Sequence, residues 1–339
     1  MKLGQNIREQ AQKCNTVTVI QPMAVGRHGY QNELLLFIKP EIFAVESQEG
    51  TERAIDLVFE KLDAFDAHAS GITIINGRVL DELEIMNRHY GFINQLSRSA
   101  SKMLDADDRE RIAAVLGIAS IDQYTLLGGH EYLAKYPDES YADLDRLWFS
   151  KKSCKLRSGF YVQAYHKNGQ NIILVNGFHP LQLEHFTNPA HRIVLVLVRS
   201  DTDWKVLRDQ MVGATYPEKA APQSIRGTLY ATPERFGLDS VSIANNGVHL
   251  SAGPFEASFE IVNFGRALDL DPRAQKPLIV QRLLEAGNSI EEALSTLDNP
   301  MLKQPVTAGS KTIDLFTATE DVNTAQAVAL WQKNCATRV

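Results

Sequence analysis

The sequence has few cysteines, no excess of basic residues and no long apolar run. Its three cysteines, Cys14, Cys154 and Cys335, lie far apart, which argues against a disulfide framework or a zinc-binding pattern and favours a reducing compartment. The formal net charge of −6 argues against broad nucleic-acid binding, which usually needs a basic face. A local basic cleft for phosphate groups remains compatible with this charge.

Signals for membrane insertion and secretion are also missing. The longest purely aliphatic run, Ile193–Val198, is far too short to cross a bilayer. The first residues contain no apolar core of the kind found in a secretory signal. We therefore expect a cytoplasmic protein that does not contact a membrane.

The composition is that of an ordinary globular protein. With 339 residues, of which 44% are hydrophobic and 22% are charged, the chain is long enough for more than one domain. The apolar run Leu34–Ile38 predicts a strand buried on both faces, and Gly71–Ile75 predicts another. Thr51 is predicted to cap the helix between them, and a second helix is predicted over Leu80–Leu96. The chain thus opens in the order β-α-β-α.

The later parts of the chain give further local predictions. Phe160–His166 and Asn171–Asn176 resemble a hairpin with its turn at residues 167–169. Asp203–Met211 is predicted to be an amphipathic helix. Ser289 and Glu292 form a capping-box pattern. Near the end of the chain, a strand is predicted over Ile313–Phe316, and Thr319 is predicted to cap a final helix through Trp331.

Three separate stretches carry residue types that suit phosphate chemistry. They read Ile38-Lys39-Pro40-Glu41, then Gly213-Ala214-Thr215-Tyr216-Pro217 with Pro222-Gln223-Ser224-Ile225-Arg226-Gly227, then Asn246-Gly247-Val248-His249-Leu250-Ser251 with Glu260. A neutral imidazole can act as a nucleophile toward phosphorus. Phosphoryl transfer depends mainly on positioning and cationic stabilisation. His249, Arg226 and Lys39 are the residue types that such a site uses.

In order and spacing, these stretches resemble the nucleoside diphosphate kinase family. That family carries an I-K-P-D strand end, a G-x-T-x-P…P-G-T-I-R-G loop and an N-x-x-H-x-S…E segment. The resemblance implies an α/β sandwich, in which helices pack on a ferredoxin-like antiparallel sheet of βαββαβ type. It covers residues 31–93 and 173–264, and it leaves 1–30 as an N-terminal arm, 94–172 as a helical and hairpin insertion, and 265–339 as a helical C-terminal extension.

The resemblance implies a catalytic group around His249. His249 would take the γ-phosphoryl group of a nucleoside triphosphate and pass it to a nucleoside diphosphate, in a ping-pong cycle through phosphohistidine. Glu260 would hold the far ring nitrogen and so fix the tautomer. Ser251 would lie near the phosphate or the carboxylate, although a helix N-cap role is also open.

The resemblance also implies a set of nucleotide-binding residues. Lys39 and Arg226 would clamp the phosphates. Thr215 would hydrogen-bond phosphate, and Asn246 would contact the sugar or phosphate; for both, a plain turn role is the alternative. Phe178 would stack on the base unless it is a core aromatic.

Several further expectations concern the nucleotide and its surroundings. Tyr90 falls where the family keeps a tyrosine near the phosphates. Mg²⁺ would be held mainly by the nucleotide's own phosphates, so we expect no metal site formed by the protein itself. The family is often oligomeric, and the sequence is compatible with a homo-oligomer, although the family's contact loops are altered here.

The sequence departs from the family at three positions. The second phosphate-binding arginine of the family, four residues before the glycine of G-x-T, is replaced by Asp209. Arg208 is one residue away, a rotation of about 100° on an α-helix, and Lys205 could substitute one turn earlier. Leu250 replaces a glycine and Ala252 replaces an aspartate.

Three hypotheses follow from these patterns. The first is an enzyme that equilibrates nucleoside di- and triphosphates through phosphohistidine at His249. The second is a nucleotide-binding regulatory module in which the loss of the family's arginine has weakened catalysis. The third is an interaction scaffold that recruits a partner through its insertion and C-terminal helices.

Overall fold

The computed structural model describes residues 2–26, 29–157, 159–304 and 311–335. The chain forms two compact units, the first made of Met1–Ile85 and Asn188–Val339 and the second of Met86–Thr187. The second unit is wider than the predicted insertion, 94–172. Residues 86–93 and 173–187, which the sequence resemblance assigned to the kinase-like domain, fall within this second unit, and the kinase-like domain bounds stay a prediction.

A five-stranded sheet forms the centre of the first unit. Its strands are β1 (Val17–Gln21), β2 (Asn32–Ile38), β3 (Ala67–Asn76), β4 (Arg192–Ser200) and β5 (Val248–Leu250). They lie in the order β1-β3-β4-β2-β5, and every neighbouring pair is antiparallel. A helix lies between β2 and β3 in the chain, and another lies between β4 and β5. Strands β2 to β5 therefore have the βαββαβ order of a ferredoxin-like sheet, which confirms the predicted fold class.

Helices of the first unit surround this sheet. The α-helices are Leu3–Lys13, Gln48–Ala64, Gly77–Glu82, Trp204–Val206, Ile225–Ala231, Pro254–Gly265, Leu278–Glu285, Ile290–Ser295, Leu315–Ala318 and Thr324–Cys335. Among the described residues of this unit, short 3-10 turns cover Pro40–Ile42, Pro217–Lys219, Pro233–Phe236, Arg266–Leu268 and Thr296–Asp298, and a π-helical turn covers Leu207–Val212. A two-stranded hairpin pairs Met301–Gln304 with Lys311–Asp314.

Two apolar clusters among the described residues of the first unit support the elements that matter here. All seven residues of β2 are buried, as a continuous apolar run predicts for a strand covered on both faces. One face of the sheet packs on Gln48–Ala64, and the helix Pro254–Gly265 contacts β2. A second core joins Phe255 of that helix to the C-terminal elements, including Trp331. The C-terminal extension therefore supports the helix that carries Glu260.

The second unit has its own four-stranded sheet. In sheet order the strands are Thr125–Gly128, Gln170–Val175, Phe160–Lys167 and Cys154–Arg157; the first pair is parallel and the others are antiparallel. Its helices are Gly91–Met103, Ala106–Leu116, Gly129–Lys135, Tyr141–Phe149 and His179–Thr187, and Ile85–His89 lies at the boundary in sequence. Asn168 and Gly169 both have positive φ, 49° and 75°. They form the tight hairpin turn predicted from the sequence.

Some predicted element boundaries were wrong. The first long helix is capped by Ser47, whose hydroxyl accepts from the N–H of Gly50, and Thr51 instead donates to the carbonyl of Ile42. The predicted helix over residues 80–96 is three shorter helices. The last helix begins at Thr324, whereas Thr319 lies in a preceding turn. Within the described residues, no helix is both long and apolar enough to cross a membrane.

Candidate functional site

The edge of the first sheet brings the lysine and histidine segments together. Strand β2 ends one residue before Lys39, and its Phe37 is paired in register with His249 of β5. The N–H of Lys39 donates to the carbonyl of Gly247 (2.8 Å), and the N–H of Gly247 donates to Glu41 Oε1 (2.8 Å). Gly247 has φ of 83°, a conformation that favours glycine. These backbone hydrogen bonds therefore fix the positions from which the side chains of Lys39 and His249 project.

Two contacts fix the ring of His249. Its Nε2 lies 2.6 Å from Glu260 Oε1, and its ring stacks on Phe37 with centroids 4.5 Å apart and planes inclined by 16°. Glu260 is fully buried on the helix Pro254–Gly265, which begins with proline at its first position. An ionised carboxylate only accepts hydrogen bonds. The neutral ring therefore keeps its proton on Nε2 and its lone pair on Nδ1.

Ser251 holds the other oxygen of the same carboxylate. Its hydroxyl donates to Glu260 Oε2 (2.5 Å) and accepts from the N–H of Leu35 (3.1 Å). The serine is fully buried, and its carbonyl accepts from the indole N–H of Trp204 (3.0 Å). The helix that follows is capped at Gly253. Ser251 is therefore placed to orient Glu260, and the helix N-cap role considered for it is wrong.

Three cations affect the titration of His249. Burial lowers its pKa to about 3; Glu256 opposes this shift, while the positive charges of Lys39, Arg226 and Arg208 add to it. The imidazole is consequently neutral at physiological pH, which is the form that can attack an electrophile. The same three cations make this end of the sheet attractive to a multiply charged anion.

Lys39 is held by the segment that precedes β5. Its Nζ donates to Asn246 Oδ1 (2.7 Å) and to the carbonyl of Ala244 (3.1 Å). The amide of Asn246 donates in turn to the carbonyls of Thr215 and Ile243, both at 3.2 Å. Asn246 is buried and acts here as the support of Lys39. Its predicted contact with a sugar or phosphate stays a prediction.

Arg226 is buried beside the same segment. Its Nη1 donates to the carbonyl of Gly213 (2.8 Å) and its Nη2 to that of Val248 (2.9 Å). Its buried Nε has no hydrogen-bond partner among the described residues. The pKa of Arg226 is lowered to about 10, mainly by burial and also by the charge of Arg208, while Glu41 opposes this shift. The guanidinium remains a cation at neutral pH.

Arg208 lies in a helical turn of a type that the sequence did not predict. Leu207–Val212 is a π-helical turn, in which the N–H of Gly213 donates to the carbonyl of Arg208, five residues earlier (2.9 Å). A π turn contains one residue more than an α turn. Arg208 lies near enough to His249 and Arg226 to lower the pKa of both. The 100° rotation expected for Arg208 assumed an α-helix and does not apply to this turn, and whether Arg208 reaches a phosphate stays a prediction.

Glu256 is a functional candidate that sequence reasoning missed. It lies one turn before Glu260 on the same helix, and its Oε2 accepts from the N–H of Ala252 (2.6 Å). Its pKa is raised to about 7, mainly by burial and also by the neighbouring charge of Glu260, while His249, the N–H of Ala252 and Arg208 oppose this shift. The i, i+4 spacing of the two glutamates was the available signal.

Three further nucleotide-binding residues were predicted, namely Thr215, Phe178 and Tyr90. The side chain of Thr215 is exposed, and its link to the site runs through its backbone carbonyl. Phe178 belongs to the second unit, where its ring packs near Trp148 (5.8 Å between centroids). Tyr90 also belongs to the second unit and packs against the ring of His179 (5.4 Å). Roles for these residues in nucleotide binding stay predictions.

Comparison with known proteins shows only a distant structural similarity. The chain matches no family model and no curated protein. One solved structure to which it is similar is apo nucleoside diphosphate kinase from Encephalitozoon cuniculi, at 12% identity and a TM-score of 0.33, covering 68% of this chain and 87% of that one. A similarity at this level does not establish a shared activity.

Proposed function

We propose that the first unit transfers a phosphoryl group from a nucleoside triphosphate to a nucleoside diphosphate through His249. The observation that carries the proposal is a neutral imidazole held at Nε2 by a buried carboxylate, with the charges of Lys39, Arg226 and Arg208 around it. The residue pattern shared with nucleoside diphosphate kinases supplies the substrate class.

The proposed reaction consists of two successive displacements at phosphorus. His249 Nδ1 attacks the γ-phosphorus, so that an N–P bond forms while the bond from phosphorus to the bridging oxygen breaks, and the electron pair leaves on the β-phosphate of the diphosphate. The ring keeps its Nε2 proton, and Glu260 stabilises the positive charge that develops on it. An oxygen of the acceptor diphosphate then attacks the same phosphorus and releases the imidazole.

The cations have separate parts in this scheme. Lys39, Arg226 and Arg208 would neutralise charge on the phosphates during both displacements. Mg²⁺ would arrive bound to the nucleotide and reduce its charge. Lys39, Arg226 and Arg208 offer no oxygen ligands for the ion. No part of the proposal requires a metal ligand from the protein.

The test is a phosphoenzyme assay with γ-labelled ATP and Mg²⁺. We expect an acid-labile, base-stable protein label that chases onto added diphosphate, is absent from His249→Ala and persists in His166→Ala, an exposed histidine of the second unit. Equal labelling of His249→Ala would contradict the proposal. ATP binding without a label would favour a regulatory module, the alternative supported by the replacement of the family's arginine with Asp209.

A further inference from the structure

The C-terminal extension reaches the proposed phosphate site through one short turn. Thr319, Glu320 and Asp321, which we call the acidic turn, precede the last helix. The N–H of Asp321 donates to the carbonyl of Ala252 (3.0 Å), three residues after His249. A Cβ added to Gly253 would lie 2.2 Å from the carbonyl oxygen of Thr319. The acidic turn is therefore in close contact with the loop that follows the histidine strand.

Both carboxylates of the acidic turn bind Arg208. Its Nη1 donates to Asp321 Oδ1 (2.5 Å) and Glu320 Oε1 (2.9 Å), and it lies 3.5 Å from the carbonyl of Ala252. The other nitrogens of the guanidinium, Nε and Nη2, make no hydrogen bond to any of the described residues. One edge of the guanidinium is thus held by the protein, while its remaining donors are available to a ligand.

The same segment also holds the start of the short helix Trp204–Val206, which precedes Arg208. Asn323 Oδ1 accepts from the N–H of Trp204 (2.9 Å), and its Nδ2 donates to Asp203 Oδ1 (2.6 Å). The π-helical turn follows directly. Hydrogen bonds from residues 321–323 therefore restrain both the backbone and the side chain of this arginine.

We propose that Asp321 and Glu320 are positioning residues for Arg208, which they hold so that its Nε and Nη2 bind the phosphoryl group in transfer. This inference rests on the proposed function. In a competing arrangement, the two carboxylates bind Arg208 in place of the nucleotide's phosphate. Removing them would then raise the transfer rate. Because a small misplacement of a catalytic cation costs much of its effect, the positioning role predicts a loss of transfer rate on the order of 10- to 100-fold without the two carboxylates.

The experiment combines Asp321→Asn and Glu320→Gln in the full-length chain and measures phosphohistidine formation at saturating MgATP. The matched control is Glu285→Gln, which removes an exposed carboxylate paired with Arg282. We expect the double variant to lose rate and the control to keep it. In an Arg208→Ala background the double variant should cause no further loss, because the two carboxylates act through the arginine.

A second readout separates this inference from the proposed function. The affinity for ADP with aluminium fluoride, which mimics the transferring phosphoryl group, should fall in the double variant and not in the control. A faster or unchanged rate, or the same loss in the Arg208→Ala background, would overturn the positioning role. The mimic's affinity could fall in the double variant and not in the control while the wild-type protein forms no phosphohistidine. That result would contradict only the proposed transfer.

Discussion

Glu260→Gln tests how the site controls the reactive ring. The glutamine preserves the size and the buried location of the side chain, but it removes the negative charge 2.6 Å from His249 Nε2. In the wild-type protein the hydroxyl of Ser251 bonds the second carboxylate oxygen of Glu260. In the variant the glutamine amide must face this hydroxyl with either its N–H donor or its carbonyl acceptor. The substitution therefore keeps the packing and changes the electrostatics.

The magnitude follows from the kind of hydrogen bond that is lost. A bond to a charged group contributes about 1.5–3 kcal/mol and a neutral one about 0.5–1.5 kcal/mol. Because Glu260 is fully buried, solvent cannot replace the lost charge, and the developing positive charge of the phosphorylated ring should lose about 1–2 kcal/mol of stabilisation. We expect phosphohistidine to form about 5- to 30-fold more slowly.

The assay is rapid-quench labelling with γ-labelled ATP at saturating MgATP, with Glu291→Gln as the matched control. Glu291 is an exposed glutamate that pairs with Arg273, so the same substitution there should leave the rate unchanged. Thermal unfolding of both variants would show whether the site variant is still folded. A folded Glu260→Gln protein that is labelled as fast as wild type would refute the orienting role of the carboxylate.

Three further predictions concern neighbouring residues. Burial lowers the pKa of Lys39 to about 8, Glu41 opposes this shift, and the charge of Arg226 adds to it. MgATP affinity measured by calorimetry should therefore weaken as pH rises through about 8 and Lys39 loses its proton, and Lys39→Met should show weak binding without this dependence. Gly253→Ala should lower the free energy of unfolding by about 1–3 kcal/mol, because the new Cβ would clash with the carbonyl of Thr319; denaturant titration measures this. Ser251→Ala removes a buried partner of Glu260 and should cost about 1–3 kcal/mol of stability, so an unfolding midpoint equal to wild type would contradict the network described here.

Much of the sheet could be predicted because its signals are local. Leu34–Ile38 and Ile193–Val198 are continuous apolar runs, and each lies within a central strand. The hairpin turn at Asn168 and Gly169 was predictable because few residues adopt positive φ at low cost. Such features depend on short segments of sequence and need no knowledge of distant contacts.

The candidate site was predictable only in part: His249 and Glu260 were expected to lie together, whereas Glu256 and the support of Arg208 were not. The motif spacing placed His249 and Glu260 on adjoining elements, and the structure brings them into contact. Nothing local indicated that Leu207–Val212 forms a π turn, because apolar periodicity does not distinguish it from an α-helix. The contact of Asp321 with Arg208 joins residues that are 113 positions apart, and only the packing of the C-terminal core creates it.

The central claim is that His249 is phosphorylated on the nitrogen opposite Glu260. The most direct measurement is phosphorus NMR of the isolated phosphoprotein, combined with mass spectrometry of the labelled peptide, because the two ring positions of phosphohistidine are distinguishable. We predict phosphate on Nδ1 of His249, since Nε2 is held by the carboxylate. Phosphate on Nε2, on another residue, or on no residue of a protein that binds ATP would contradict the account.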